Sequence, residues 1–530
     1  MAQATRSRTR RARPETLKSF NPATGQIQGE IVPNTPGEVR DAVTHARKAA
    51  PEWASLPAKA RARMMREVRH RIYELLDDIV QTVADENGKP QAEALSNDIL
   101  PTVLTLRYYE RIAPRALRPQ KVGRLSGPIL ARASSHIEWR PFGVVGCISP
   151  WNYPFWLGLQ GVIPALFAGN AVVLKPSEVT PGVGERIREV FEPLPAGVAT
   201  VVQGGAEVGA ALVDAPCDKL CFIGSPRTGR RIAEAASKHL TPVVMELGGT
   251  DPAIVCSDAD LDMASSGILW GAFQNAGQTC CSIERAYVVE SVADRFEERL
   301  LHKLGKVRFG AEDNEIGAIT FAPQLDIVRR HVDDAVAKGA KVLAGGPRAA
   351  KRGRKGGQWY PPTVLGGVTT EMSVLQEETF GPVLPIIRVR DEEEAVQRAN
   401  EEGFNLTSSV WTADKARGQR LASKIKAGSV SINDHISLAN LPWASWGGVG
   451  ESGYGRLNGV VGLREFTVPV NVGRALFPSM KGALWYPYDR ASQETLRGAV
   501  AALAAPRRSQ RIKGALKALK NAGSSLKNKL

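Results

Sequence analysis

Cysteine is scarce in this chain: Cys147, Cys217, Cys221, Cys256, Cys280 and Cys281 are the only six among 530 residues. That density excludes a disulfide scaffold, and no Cys-x-x-Cys pair or Cys/His cluster has zinc spacing, so no metal site is expected and a reducing, cytoplasmic setting fits best. The first 20 residues contain no apolar run, which excludes a secretory signal, although their Arg-rich, acid-poor character also suits an organelle transit segment. The fingerprint Gly-x-Gly-x-x-Gly after a strand is missing as well. Charge is absent from Pro141 to Leu174, a length that suggests a membrane span. Internal prolines and glycines, with Asn152 and Asn170, break that run into strand, turn, helix and strand of a buried α/β core.

The formal charge of +15 is unevenly spread. The first 18 residues and residues 507–530 carry nearly all of it, the latter without a single acid, so the body is close to neutral and no nucleic-acid partner is expected. Within the C-terminal tail Leu496, Val500 and Leu503 share one helical face, Pro506 interrupts, and Ile512, Leu516 and Leu519 then recur at i, i+4 and i+7 with Lys513, Lys517 and Lys520 on another face. Such a basic amphipathic helix, preceded by the aromatic run Leu484 to Tyr488, suits either an anionic membrane surface or a solvated, partly disordered tail.

Hydrophobic content of 43% in a chain this long fits a globular protein of two or three domains. Pro36 to Trp53 and Lys59 to Asn87 read as helices, the second from Met64, Val68, Ile72, Leu75 and Ile79. From Gly143 onward short apolar runs alternate with helical stretches. Strands are expected at Val144 to Ser149, Ala171 to Leu174, Ala199 to Val202, Lys219 to Phe222 and Val243 to Glu246. Helices are expected at Phe155 to Phe167, Gly184 to Phe191 and Arg227 to Ser237. This alternation builds a parallel sheet with crossover helices, an α/β nucleotide-binding layer. A second α/β segment, from about Gly248 to Val449, contains a helix over Leu261 to Asn275 and strands near Ile254, Ala286 and Leu384.

Two short segments carry chemistry. Met245 to Gly249 reads Met-Glu-Leu-Gly-Gly and Gly277 to Cys280 reads Gly-Gln-Thr-Cys, pairing a carboxylate base with a thiol nucleophile. Further segments follow a familiar order: Pro-Trp-Asn-Tyr-Pro at Pro150 to Pro154, Leu-Lys-Pro-Ser-Glu at Leu174 to Glu178, Phe-Ile-Gly-Ser at Phe222 to Ser225, Glu-Glu-Thr-Phe-Gly-Pro at Glu377 to Pro382 and Ser-Gly-Tyr-Gly-Arg at Ser452 to Arg456. From about Phe20 to about Val472 the chain resembles the aldehyde dehydrogenase superfamily.

The resemblance implies a Rossmann-like cofactor domain (19–121 and 142–247), an α/β catalytic domain (248–459) and oligomerisation strands (122–141 and 460–474), between a basic arm (1–18) and the tail (475–530). Val122 to Trp139 and Leu463 to Val472 would then pair with a neighbouring subunit in a homodimer or homotetramer. It implies NAD as cofactor, with NADP also accommodated. Gly224 and Ser225 would approach the pyrophosphate, with Gly229 at the helix start. Lys175 and Glu178 would meet the adenosine ribose, the carboxylate disfavouring a 2′-phosphate, while Glu378 and Phe380 would meet the nicotinamide riboside. Ser149, Pro150, Trp151, Ser177, Gly205 and Leu247 complete the expected cofactor contacts. Cys280 is implied as nucleophile, Cys281 as a spectator, and the Asn152 amide with the Cys280 N–H as oxyanion donors. Glu246 is implied as the base that hydrolyses a thioester to a carboxylic acid. Retention of this base disfavours transfer to coenzyme A, and the intact trio disfavours a catalytically idle scaffold. Candidate channel residues are Trp156, Leu157, Gln160, Phe273, Thr279, Ile283, Leu441, Trp443 and Trp446. They form an apolar set without an arginine clamp, suited to a hydrophobic aliphatic or aromatic aldehyde.

Overall fold

The computed structural model describes residues 16–122, 133–310, 314–352, 357–401, 403–435, 437–475, 485, 486 and 488–527. Two sheets organise the larger compact unit, which comprises the described residues up to Leu117 together with Arg140–Val468. The first has six strands in the order Gly453–Tyr454, Val243–Leu247, Lys219–Gly224, Val144–Ile148, Ala171–Lys175 and Ala199–Val201. Only its Gly453–Tyr454 edge is antiparallel. Val144–Ile148 and Ala171–Lys175 are almost wholly buried and nearly continuous in apolar residues, as expected of parallel strands covered on both faces. The second sheet has seven strands in the order Lys341–Ala344, Thr363–Gly366, Val383–Val389, Ile283–Val289, Asp251–Val255, Thr407–Trp411 and Ser429–Ile432. All its pairings are parallel except that of the Lys341–Ala344 edge. The α/β architecture read from the sequence is therefore present.

Several elements differ from expectation. Lys59 to Asn87 is two helices, Ala58–Glu74 and Leu76–Asn87, because Leu75 adopts φ −98° and ψ 12°, ending one helix and opening the next. The Leu261 helix ends at Phe273; Asn275, Ala276 and Gly277 then take positive φ and turn the chain. Leu100–Ala116 is a 17-residue helix with no counterpart among the expected elements, its pattern broken by Pro101 in the first turn and Pro114 near the end.

The smaller unit comprises Arg118–Trp139 and Pro469–Leu530. Strands Gln120–Lys121, Ala133–Pro141 and Thr467–Ala475 make a three-stranded sheet whose central strand is Ala133–Pro141. Leu463 to Glu465 closes the helix Gly459–Glu465 rather than starting the strand, and the central part of the expected Val122 to Trp139 strand lies outside the described residues. The tail is helical over Arg490–Ala504 and Arg508–Lys527, interrupted as expected around Pro506. Among the described residues no helix is long and apolar enough to cross a membrane.

Candidate active site

The chain passes from Leu247, the last residue of a first-sheet strand, to Asp251, the first residue of a second-sheet strand, through only Gly248, Gly249 and Thr250. The C-terminal ends of the first sheet's parallel strands therefore open onto the second sheet's strand beginnings. In an open parallel sheet this is the edge where ligands bind. Five loops converge there: Ser149–Asn152, Lys175–Glu178, the segment around Gly205, Gly224–Ser225 and Glu246–Gly248.

They line a cavity of about 850 Å³. Ser149, Pro150, Trp151, Asn152, Lys175, Glu178, Gly205, Gly224, Ser225, Glu246, Leu247, Cys280, Glu378 and Phe380 all contribute to its wall. The volume lies in the range of small-molecule and cofactor sites. Gly205 and Gly209 present bare backbone to it, since a Cβ on either would meet no atom within 4 Å. The Pro226–Ser237 helix starts at the cavity, and although Pro226 has no N–H, Thr228 N is capped by Ser225 and Gly229 N is paired with the Ser225 carbonyl, the Arg227 N–H and the positive end of the helix face where a pyrophosphate would lie. A dinucleotide fits this wall. The Ser225 side chain is occupied by that cap, accepting from Thr228 N. Gly229 lies inside the helix, where its missing Cβ lets Leu247 pack close. Ser177 does not reach the cavity; its Oγ accepts locally from Val179 N. Lys175, itself buried, is paired with the half-exposed Glu178 carboxylate.

At the other end of the cavity Trp151 meets Phe380 edge to face, ring centroids 5.5 Å apart. Phe380 sits at φ 47°, and buried Glu284 holds this turn by accepting from Thr379 N and Phe380 N, each at 2.8 Å. Glu284 was not among the expected site residues; a Glu284-Arg285 pair inside the buried strand Ile283–Val289 was the available signal. Glu378 accepts from Gly249 N at 3.1 Å, and burial, with the Glu284 charge nearby, pushes its carboxyl well above the usual range.

Cys280 and Glu246 come together at the base of the cavity. Glu246 is 1% exposed and neither carboxylate oxygen has a well-formed hydrogen bond. Burial pushes this carboxyl up to about 7, only partly offset by the nearby Cys280 thiol and Trp446 side chain. The Cys280 thiol is pushed well above its ordinary range by its contact with Cys281, by burial and by the Glu246 charge. Cys281 is buried against Leu406 and Trp446, and its carbonyl lies 2.8 Å from His435 Nε2. Asn152 is buried; its Nδ2 donates to the Gln278 carbonyl at 3.0 Å and its Oδ1 has no partner. One amide hydrogen is thus committed to the cysteine loop and the other remains for the site.

The backbone of Asn152 is fixed from three directions. Its carbonyl accepts from Asn275 Nδ2 at 2.8 Å, Lys89 Nζ at 2.9 Å and Asn87 Nδ2 at 3.1 Å. Lys89 is fully buried and paired with Asp98 Oδ2 at 2.8 Å. The other Asp98 oxygen accepts from Phe155 N and Trp156 N, capping the Pro154–Gln160 helix, which has no side-chain cap of its own. Asp98 lies on a π-helical turn, Ala94–Ile99, a distortion often found at functional sites.

Cys280 also opens onto a narrow throat of about 30 Å³ lined by Tyr153, Trp156, Leu157, Gln160, Thr279 and Trp446, with Asn97, Gln274 and Asn440. Among the described residues no charged one borders it. Phe273 and Ile283 instead pack in the core of the second sheet, since the Leu261–Phe273 helix turns its last residue toward the strands. Leu441 lines neither cavity, and Trp443 is exposed.

A two-sheet α/β fold holding a dinucleotide-sized cavity, with a partly exposed thiol and a buried carboxylate in its wall, is that of a nucleotide-dependent oxidoreductase. A sequence profile described as the aldehyde dehydrogenase family matches residues 9–472, and the chain belongs to that family. It is an NAD(P)-dependent oxidoreductase acting on aldehydes. It is 38% identical to a 4,4'-diapolycopene aldehyde oxidase of Methylomonas sp, over 91% of this chain and 90% of that protein. It is 37% identical to a protein of Mycobacterium tuberculosis strain H37Rv provisionally named as an NADP(+) succinate-semialdehyde dehydrogenase, over 85% of this chain and 87% of the other. Among solved structures, the NAD+ complex of a Bacillus cereus aldehyde dehydrogenase superposes with a TM-score of 0.82 at 32% identity, covering 87% and 94% of the two chains.

Proposed function

We propose that this enzyme oxidises a hydrophobic, unbranched or aromatic aldehyde to the free carboxylic acid with NAD, through a thioester on Cys280. The observation that carries the reading is that Cys280 lines both the dinucleotide cavity, together with Glu246, and the charge-free throat. The Cys280 thiol releases its proton to solvent, and the thiolate sulfur attacks the aldehyde carbon. Asn152 Nδ2 and the Cys280 N–H hold the oxyanion that forms. The bound dinucleotide supplies the hydride acceptor. Glu246 next takes a proton from water as the water attacks the thioester, the C–S bond breaks, and the acid leaves with the thiol restored.

The substrate class follows from the throat. A semialdehyde carrying a carboxylate would need a cationic partner there, whereas the aromatic and amide lining suits an apolar chain. Its narrowness favours substrates unbranched next to the carbonyl. The similarity to a diapolycopene aldehyde oxidase supports an apolar substrate; the provisionally named semialdehyde relative supports the rival class. NAD is favoured over NADP because the Glu178 carboxylate would repel a 2′-phosphate. The enzyme works as a cytoplasmic homodimer or homotetramer whose basic C-terminal segment attaches it to an anionic membrane surface.

The test is NADH formation over a panel running from acetaldehyde to long-chain aldehydes and benzaldehyde, with succinate semialdehyde and 2-methyl-branched aldehydes included. Turnover is expected to favour the linear apolar members and to vanish in Cys280→Ala. A preference for succinate semialdehyde would overturn the substrate assignment, and reduction of NADP more efficient than of NAD would overturn the cofactor preference.

A further inference from the structure

We infer that the outward face of the Arg508–Lys527 helix is a docking surface for an anionic phospholipid bilayer. This deepens the membrane reading above by naming the face that makes contact. The two tail helices form an antiparallel hairpin closed by small residues: a Cβ at Gly498 would lie 2.5 Å from Ala518 N, and one at Gly514 2.6 Å from Ala502 N. With the small residues turned inward, the larger apolar side chains face solvent. Ile512, Leu516 and Leu519 are 53%, 62% and 64% exposed, and they recur at i, i+4 and i+7, on the side opposite Gly514 and Ala518.

Charge identifies what covers this face. Exposed Arg508, Lys513 and Lys520 flank the apolar stripe, and residues 508–527 contain no acid. The other helix also turns apolar residues outward, Val500 and Leu503, but on the opposite side of the hairpin and with Glu494 on the same helix. A flat surface can meet only one of the two, and the cation-flanked stripe is complementary to anionic headgroups. A second copy of the same hairpin would bring like charges together. The helix spans about 30 Å at 1.5 Å per residue, enough to lie along the interface, and its cations prevent it from crossing.

The test is co-sedimentation of the full chain with vesicles of phosphatidylcholine alone or mixed equally with phosphatidylglycerol. Wild type is expected to pellet with the mixed vesicles and about tenfold less with phosphatidylcholine alone. The double variant Leu516→Asp, Leu519→Asp is expected to lose pelleting by at least about tenfold, as is Lys513→Gln, Lys520→Gln, whereas Leu503→Asp on the opposite face is expected to pellet like wild type. Pelleting of the double aspartate variant equal to wild type overturns the assignment. So does an absence of vesicle binding accompanied by an aspartate-sensitive oligomer in light scattering, or a preference for duplex DNA over vesicles in competition. Hexanal oxidation measured without vesicles reports on the aldehyde reading separately, so either can fail while the other stands.

Discussion

Both carboxylate oxygens of Glu246 are buried without a well-formed hydrogen bond, which costs the folded protein stability while the site gains a base for the attacking water. The balance depends on pH. Because burial raises the carboxyl from its ordinary value to about 7, the cost is absent below the unfolded value near 4.5 and fully present above 7. Glu246→Gln is therefore expected to stabilise the protein at pH 8, on the order of 3 kcal/mol before local relaxation, and a lower urea midpoint in the variant would contradict this. The same shift gives steady-state turnover an acid limb near pH 7, since only the ionised carboxylate can take a proton. In Glu246→Gln a first turnover of NADH should appear followed by a steady rate about 10²- to 10⁴-fold lower, measured by stopped-flow absorbance. An unchanged steady rate would remove Glu246 from hydrolysis.

The turn Asn275–Gly277, the π-helical turn Ala94–Ile99 and the Pro154–Gln160 helix hold the residues around the thiol, and each depends on the others. Asp98 caps the helix and neutralises Lys89, which in turn holds the Asn152 carbonyl. Asp98→Ala leaves a buried ammonium without its partner and is expected to cost about 3 to 5 kcal/mol, read from urea unfolding; a cost under about 1 kcal/mol would show that the pair is dispensable. Little of this was legible in the sequence. The first sheet was readable because its strands and crossover helices alternate locally between Val144 and Leu247. The turn after Phe273 was not, because Asn275 and Ala276 take positive φ without being glycine and the Leu261 helix was consequently drawn two residues too long. Phe273, expected in the channel, belongs to the core. Leu100–Ala116 escaped because prolines near its two ends obscure the helical period.

Across the whole molecule, the short Gly248–Thr250 crossing sets one sheet's strand ends against the other's strand starts, so Glu246 and Cys280, 34 positions apart, face one cavity. Motif spacing singled out both residues as candidates. It did not identify the distant supports, Lys89, Asp98 and Glu284, whose contacts arise only when the chain folds. Nor did periodicity show that the tail closes through its small residues and leaves its larger apolar stripes outside. The central claim is that the acyl group is carried by Cys280 and released by Glu246. It is tested most directly by incubating Glu246→Gln with hexanal and NAD, quenching in acid and measuring peptide masses. One hexanoyl group on Cys280 is the expected result. An acyl group on Cys281, or none on any cysteine while NADH accumulates, would contradict the account.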